Sequence, residues 1–291
     1  MTGDDVDRGS AAPLHGVRVV SLAVNVPGPV AAARLADLGA DVVKVEPPAG
    51  DALQVAAAGW YRELTARHEV VTLDLRDAAD RERLEERLAT ADVLLTAMRP
   101  AALDRLGLRA SVGRHRLVHV EIVGYDGERA GEAGHDLTYQ AAHGTLQPPA
   151  VPTVPVADLL GGERAALAAV AGLRLRDRSG DAVHQPVVLD HVARDAAAGV
   201  RHGLTGPGDV LGGASPGYGI YPTTDGYVAV GAVEPHFVAR LGDAVGRTRA
   251  ELAARFATAD SKHWQELGNE LDIPIVAVGS IVDDDTLQEM R

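Results

Sequence analysis

His135 is followed at once by an acid, Asp136, and one helical turn later by Tyr139, in the stretch Ala133-Gly134-His135-Asp136-Leu137-Thr138-Tyr139. An imidazole titrates near neutrality, and a neighbouring carboxylate can set which ring nitrogen carries the proton, so the pair has the makings of a proton-transfer site. Asp158 stands in Val-Ala-Asp-Leu-Leu-Gly-Gly (156–162), just before an Ala- and Leu-rich segment. Taken locally it reads as an N-cap or Asx-turn aspartate of a helix over 163–177. Glu234 precedes Pro235 and reads locally as an exposed acid at a helix start, while Lys44 and Arg99 read as charges at loop ends. The histidines at 115, 119, 135 and 143 are not joined to acids at a ligand spacing. His115 and His119 sit four apart in or beside a strand, where such residues lie too far apart to share an ion, so no metal is expected.

The elements that must hold these residues are an alternation of strands and helices. From 16 to 48 the order is strand (VRVVSL), helix (PGPVAAARLADLG) and strand (ADVVKVE), with Ala31, Leu35 and Leu38 on one helical face and Gly39 as C-cap. A second unit runs from VVTLDL (70–75) through a charged helix with the stripe Leu84 and Leu88 to ADVLLT (91–96). RLVHVEIV (116–123) and HQPVVLD (184–190) add strands. The repeated alternation predicts an α/β fold with a parallel sheet whose ligand chemistry gathers at the carboxyl ends of the strands. The 163–177 helix is apolar almost all round, which predicts burial, across a subunit boundary if need be. Beyond residue 190 the composition turns to Gly, Pro and aromatics, the mark of a smaller, separate lobe, followed by a helix near 249–270 and the strand-like run IPIVAVGSI.

Composition narrows the ligand classes. Twenty-eight Lys plus Arg against 41 Asp plus Glu give a net charge of −13, which opposes binding to nucleic acid or an anionic membrane. An anionic ligand must therefore find placed cations, and all but two of these, Lys44 and Lys262, are arginines. With no cysteine there is no thiolate nucleophile or disulfide frame. The polar, acidic N-terminal stretch reads as a frayed tail and not as a secretory signal, and no apolar run of roughly eighteen residues is present, so a cytoplasmic protein is expected. Glu46, at the end of the second strand, invites a dinucleotide reading. Asn25-Val26-Pro27-Gly28-Pro29 lacks the glycines that such a phosphate loop needs, which argues against it.

Four segments, LHGVRVVSLA, PGPVAAARLADLGADVVKVEPPAGD, VVTLDLRD and MRPAALDRLGL, resemble in order the N-terminal half of family III CoA-transferases, the group that includes 2-methylacyl-CoA racemases. The Gly-His-Asp-x-x-Tyr element is similar to the racemase branch, Asp158 resembles the central aspartate of the whole family, and Gly217–Tyr221, Thr224–Tyr227 and Val233–Phe237 resemble the second lobe. The resemblance implies a Rossmann-like, CoA-binding large domain over 1–190, a small α+β domain over 191–270, and a C-terminal segment, 271–291, returning to the large domain. It implies coenzyme A, as an acyl-CoA, for ligand, with Lys44, Arg99, Tyr139, Gly161 and Gly162 around it, and an interlocked homodimer.

For chemistry the resemblance implies His135 and Asp158 as the two bases of a racemase, with Asp136 and Glu234 orienting and charge-balancing His135. Backbone N–H groups at Gly161-Gly162, taken as a helix start, would hold the enolate oxygen. CoA transfer between carboxylic acids through an anhydride on Asp158 is the alternative, and it needs no histidine. A third reading, a binder of CoA esters without turnover, rests on departures from the family. The chain stops at Met290-Arg291, which implies an abbreviated small lobe; the His135–Asp158 interval is compressed; and the turn at Thr65-Ala66-Arg67 is altered.

Overall fold

The computed structural model describes residues 12–279. The expected N-terminal tail up to residue 11 and the segment from 280 onward lie outside the described residues. The chain divides into two compact units at 197/198.

In the first unit β1 (Arg18–Ser21), α1 (Pro27–Asp37) and β2 (Asp41–Glu46) are followed by α2 (Ala52–Ala56), α3 (Ala58–Thr65) and β3 (His68–Thr72). Then come α4 (Ala78–Leu88), β4 (Val93–Thr96), α5 (Pro100–Arg105), α6 (Leu108–His115), β5 (Val118–Val123) and α7 (Asp136–Ala142). The unit closes with α8 (Val156–Ser179), β6 (Val183–Val188) and α9 (Leu189–Ala196). All six strands are parallel, in the order β3-β2-β1-β4-β5-β6. Sequence and order part company between β1 and β4, and the crevice outside their carboxyl ends is where a sheet of this kind binds ligands.

Alternation along the strands builds a core on each face. Val19, Val93, Leu95, Val118, Val120 and Ile122 pack with α1 and α8; Val20, Leu94 and Leu117 pack with α4, α5 and α6. The end of α1 follows from its glycine. Gly39, at φ 97°, lets its N–H reach Ala36 O and the Ala40 N–H reach Leu35 O, the paired closing bonds of a Schellman motif. Leu38 caps this helix half-exposed, so the buried face is Ala31, Ala32, Leu35 and Ala36. The edge strand β6 carries Pro186 opposite Glu121, a residue without an N–H where no further strand pairs among the described residues.

Helix α8 corrects one expectation: it starts at Val156, seven residues before the expected 163. Among the described residues it is buried on one face. Ala157, Gly161, Gly162, Ala165, Ala169 and Gly172 form that face, while Leu160, Leu167 and Leu175 are exposed among Glu163, Arg164 and Arg174. Small residues there let the backbones of α1 and α8 approach.

In the second unit α10 (Ala198–Arg201) precedes β7 (Tyr218–Pro222), β8 (Tyr227–Gly231), α11 (Pro235–Ala244), α12 (Arg249–Phe256), α13 (Ser261–Leu271) and β9 (Ile275–Ala277). The strands form an antiparallel sheet, β7-β8-β9, over a core containing Tyr221, Phe256 and Trp264. The single helix expected near 249–270 is two, because the Asp260 carboxylate caps a new start by accepting the His263 N–H. Ile275–Ala277 pairs with β8, so this part of the 271–291 segment belongs to the second unit instead of returning to the first. Residues 191–197, expected in the small domain, stay with the first unit because Val192 and Ala193 of α9 are buried in its core.

Close helix packing makes a prediction. A Cβ on Gly162 would stand 2.6 Å from Val30 Cβ and 2.9 Å from the Pro27 carbonyl oxygen, whereas one on Gly113 of α6 meets nothing within 4 Å. Gly162→Ala should lower the unfolding free energy by about 1–3 kcal/mol. Gly113→Ala should raise it by roughly 0.5–1 kcal/mol, both read from urea denaturation.

Candidate active site

The recess at the switch point is lined by Val24, Asn25 and Pro27 after β1, Ala97 after β4, Ile122–Gly124 at the end of β5, Gly134, His135 and Tyr139, Asp158 and Leu189. It encloses about 130 Å³, and both His135 and Asp158 face it. A second recess of about 270 Å³ adjoins it, sharing Asn25, Ala97, His135 and Tyr139 and adding Met98 and Arg99. Beyond lies a cleft of about 770 Å³ that shares Val24, Ala97 and Met98 as walls and is bounded by Leu73–Arg76, Arg81 and Arg105. The three hollows form one trough along the carboxyl ends of β1 to β5.

His135 is the N-cap of α7, with extended backbone angles, and its N–H donates to the Thr138 hydroxyl at 3.0 Å. The His135 residue is exposed. Asp136 begins the helix and is buried, but it does not turn toward His135. Its Oδ1 accepts the N–H groups of Ala157 at 2.7 Å and Asp158 at 3.2 Å, and its Oδ2 accepts Gln140 Nε2 at 2.6 Å. The expectation that Asp136 orients His135 is thereby corrected: Asp136 satisfies the free N–H groups at the start of α8.

Asp158 lies in the first turn of α8. Burial, with the Asp136 carboxylate adding to it, pushes its carboxyl up from the ordinary range to about 7. The helix N-terminus acts the other way and is outweighed. A carboxyl titrating there can both release and return a proton near neutrality.

The expected ligand residues divide. Arg99 borders the trough, exposed and without an ion pair among the described residues. Lys44 does not: it is 0% exposed, and its ammonium is held by Glu46 Oε1 at 2.5 Å and Asp51 Oδ2 at 2.8 Å. A cation enclosed by two carboxylates is unavailable to a phosphate, and Lys44 serves instead as the centre of a buried network. Tyr61 donates to Glu46 at 2.7 Å, and Asp51 Oδ1 receives the Asn25 and Leu53 N–H groups at 3.1 and 3.0 Å. This fixes Asn25, whose φ of 66° an asparagine tolerates, at the mouth of the recess.

Gly161 and Gly162 are a further correction. They lie in the second turn of α8, so their N–H groups are committed to the helix, and their role is contact with Leu189, Pro27 and Val30. Tyr139 is 2% exposed, its ring edge-on to Tyr125 and its hydroxyl against Gly124 and Gly134, at the wall of both small recesses. Burial pushes its phenol up to about 12. Glu234 is the exposed N-cap residue of α11 in the second unit; its carbonyl accepts the Val238 N–H at 2.9 Å, and its carboxylate makes no hydrogen bond or ion pair among the described residues.

Sequence reasoning missed Arg76, Arg81 and Arg105, three guanidinium groups around the largest hollow. Arg76 stands in VVTLDLRD shortly after β3 and Arg105 ends α5 in MRPAALDRLGL, while Arg81 lies on α4, outside both segments. Arg76 is paired with Asp74, whose carboxyl it holds down to about 2. Arg105 has no ion pair among the described residues.

Fold and trough together define an α/β protein with a long, arginine-bordered ligand channel leading to a histidine and an aspartate. The chain belongs to CoA-transferase family III, whose family model matches residues 14–277. The mouse alpha-methylacyl-CoA racemase is 32% identical over 279 residues, covering 87% of this chain and 69% of that protein. The succinyl-CoA–D-citramalate CoA-transferase of Chloroflexus aurantiacus is 29% identical, over 88% of this chain and 71% of that one. The crystal structure of the Mycobacterium tuberculosis protein Rv3272 aligns with a TM-score of 0.81 at 26% identity, covering 96% of this chain and 88% of that one. The family thus holds both racemases and transferases of acyl-CoA substrates. No helix among the described residues is long and apolar enough to cross a membrane.

A titration prediction follows from Asp158. In the folded chain it keeps its proton up to about pH 7, while the unfolded chain releases it near the ordinary aspartate value of 3.8. Between these values the folded state binds more protons, so this group's contribution to unfolding free energy falls as pH rises. Asp158→Asn should remove that component, making the stability difference, variant minus wild type, grow from pH 4 to pH 7 and level off above, as read from urea midpoints at each pH.

Proposed function

We propose that the protein racemises the α-carbon of a 2-methylacyl-CoA by two-base proton transfer, with His135 and Asp158 on opposite sides of the carbon. The observation that carries this reading is the convergence of both side chains on one small recess, with Asp158 raised to about 7. A nucleophilic carboxylate should be ionised, and burial beside a second acid works against that; a base that must also act as an acid is served by it. One group removes the α-proton, the thioester carbonyl takes up the charge as an enolate, and the other group returns a proton to the opposite face. Asn25, which lines both smaller recesses, is the neutral side chain placed to donate to the enolate oxygen.

In this reading the pantetheine arm follows the walls Val24, Ala97 and Met98, and the nucleotide lies in the 770 Å³ cleft with Arg105 and Arg99 near its phosphates. Asp136 acts on Asp158, by anchoring α8 and by its charge. Glu234 supports a histidine through dimer assembly, the exposed leucines of α8 being the apolar surface available for an interlocked pair. CoA transfer through Asp158 is the second reading, favoured by the transferases among the relatives. A binder without turnover is the third.

Incubation of a 2-methylacyl-CoA with the enzyme in deuterium oxide separates the three. Deuterium should enter the α-carbon in the wild type, and His135→Ala and Asp158→Ala should each slow exchange by about 100-fold or more. Exchange that is absent while labelled CoA passes to a free acid establishes transfer; binding with neither reaction establishes the third reading.

A further inference from the structure

On the sheet face opposite α8, strands β5 and β6 bring together three metal-ligating side chains that are scattered in the sequence. His119 and His184 are partners in the β5–β6 register, with ring centroids 5.3 Å apart, and Glu121 lies two residues on from His119 on the same face. His184 Nε2 is 2.6 Å from Glu121 Oε2. One ligand atom from each of the three can be chosen so that all lie within 4.8 Å of one another. From this geometry we infer that His119, Glu121 and His184 form a binding site for a borderline divalent transition metal, of which Zn²⁺ is the type.

The donor set selects the class of ion. Two imidazoles and one carboxylate, with no thiolate, match sites in which Zn²⁺ takes three protein ligands and a water. All-oxygen sites serve Mg²⁺ and Ca²⁺, and Cu⁺ prefers sulfur. The surroundings are built for it. Thr96 Oγ1 lies 2.8 Å from His119 Nε2 and fixes the ring, the kind of outer contact that orients a ligating histidine. His119 is 2% exposed, so an ion held by its ring would be shielded from bulk water on that side. His184 is half-exposed at the sheet edge, which provides both an entry path and freedom to close on an ion.

Arg109, on α6, balances Glu121 from 3.2 Å. Its side chain is 41% exposed, so an incoming cation can displace it into solvent and take over its electrostatic role. The trio's members are joined by strand register and not by spacing along the chain.

The test uses the full chain, freed of any purification tag and stripped by a chelator. Cobalt(II) titration should give one equivalent with visible d–d absorption that Zn²⁺ abolishes. His184→Ala, at the exposed position, and Glu121→Gln should each weaken Co²⁺ binding by about tenfold or more with unchanged circular dichroism. Neither residue lines the CoA trough, so deuterium exchange into acyl-CoA should be unaltered in His184→Ala, which separates this site from the proposed reaction. No saturable Co²⁺ or Zn²⁺ binding in the wild type, or equal affinity in both variants, overturns the inference.

Discussion

A helix begins with backbone N–H groups that have no partner within it, and at α8 the side chain that meets them comes from another element. The Asp136 carboxylate accepts two of these N–H groups across a proline-rich loop of more than a dozen residues and a third bond from Gln140. An N-cap contact is worth about 1 kcal/mol, and a buried charged acceptor is costly to leave without donors. Since His135 caps α7 and α8 carries Asp158, this one carboxylate sets the register between the elements that bear the two proposed bases. It also places a second negative charge beside Asp158, so the contact that holds the helix start is one of the causes of that residue's raised pKa.

The opposite wall of the trough depends on a buried charge. Lys44, Glu46 and Asp51 sit in the interior with Tyr61, and each polar atom of the Asp51 carboxylate has a donor. Such a cluster is weak support for stability in itself, because desolvation offsets much of the attraction. Its effect is geometric: it ties the end of β2 to the turn after β1 and holds Asn25 in a left-handed conformation that the local chain alone would seldom choose.

What could be read in advance was local. Short β-rich runs marked the strands of the large sheet, with β3 displaced from the expected 70–75 to 68–72, and Gly39 marked the end of α1, because these signals lie within a few residues of the feature they cause. The start of α8 was misplaced because its cap is distant: with no Ser, Thr, Asp or Asn at Pro155, nothing nearby announces a helix, and Asp136 supplies the cap through space. Lys44 misled for the same reason. A lysine at a strand end is exposed by default, and only the fold shows two carboxylates closing over it. His135 and Asp158 were identified by resemblance, yet the residue that supports Asp158 was assigned to the wrong partner, since adjacency in sequence placed Asp136 beside His135 while the helix turned it away.

Pro186 has a consequence for the sheet as a whole. An edge strand offers a row of backbone donors and acceptors to any extended chain, and β6 is such an edge. With a pyrrolidine ring in place of one N–H, midway along a six-residue strand, the row is interrupted where a seventh strand would dock. The protein therefore guards this border against recruitment into intermolecular β-structure, which leaves the flanking side chains, His184 among them, open to solvent instead of to another backbone.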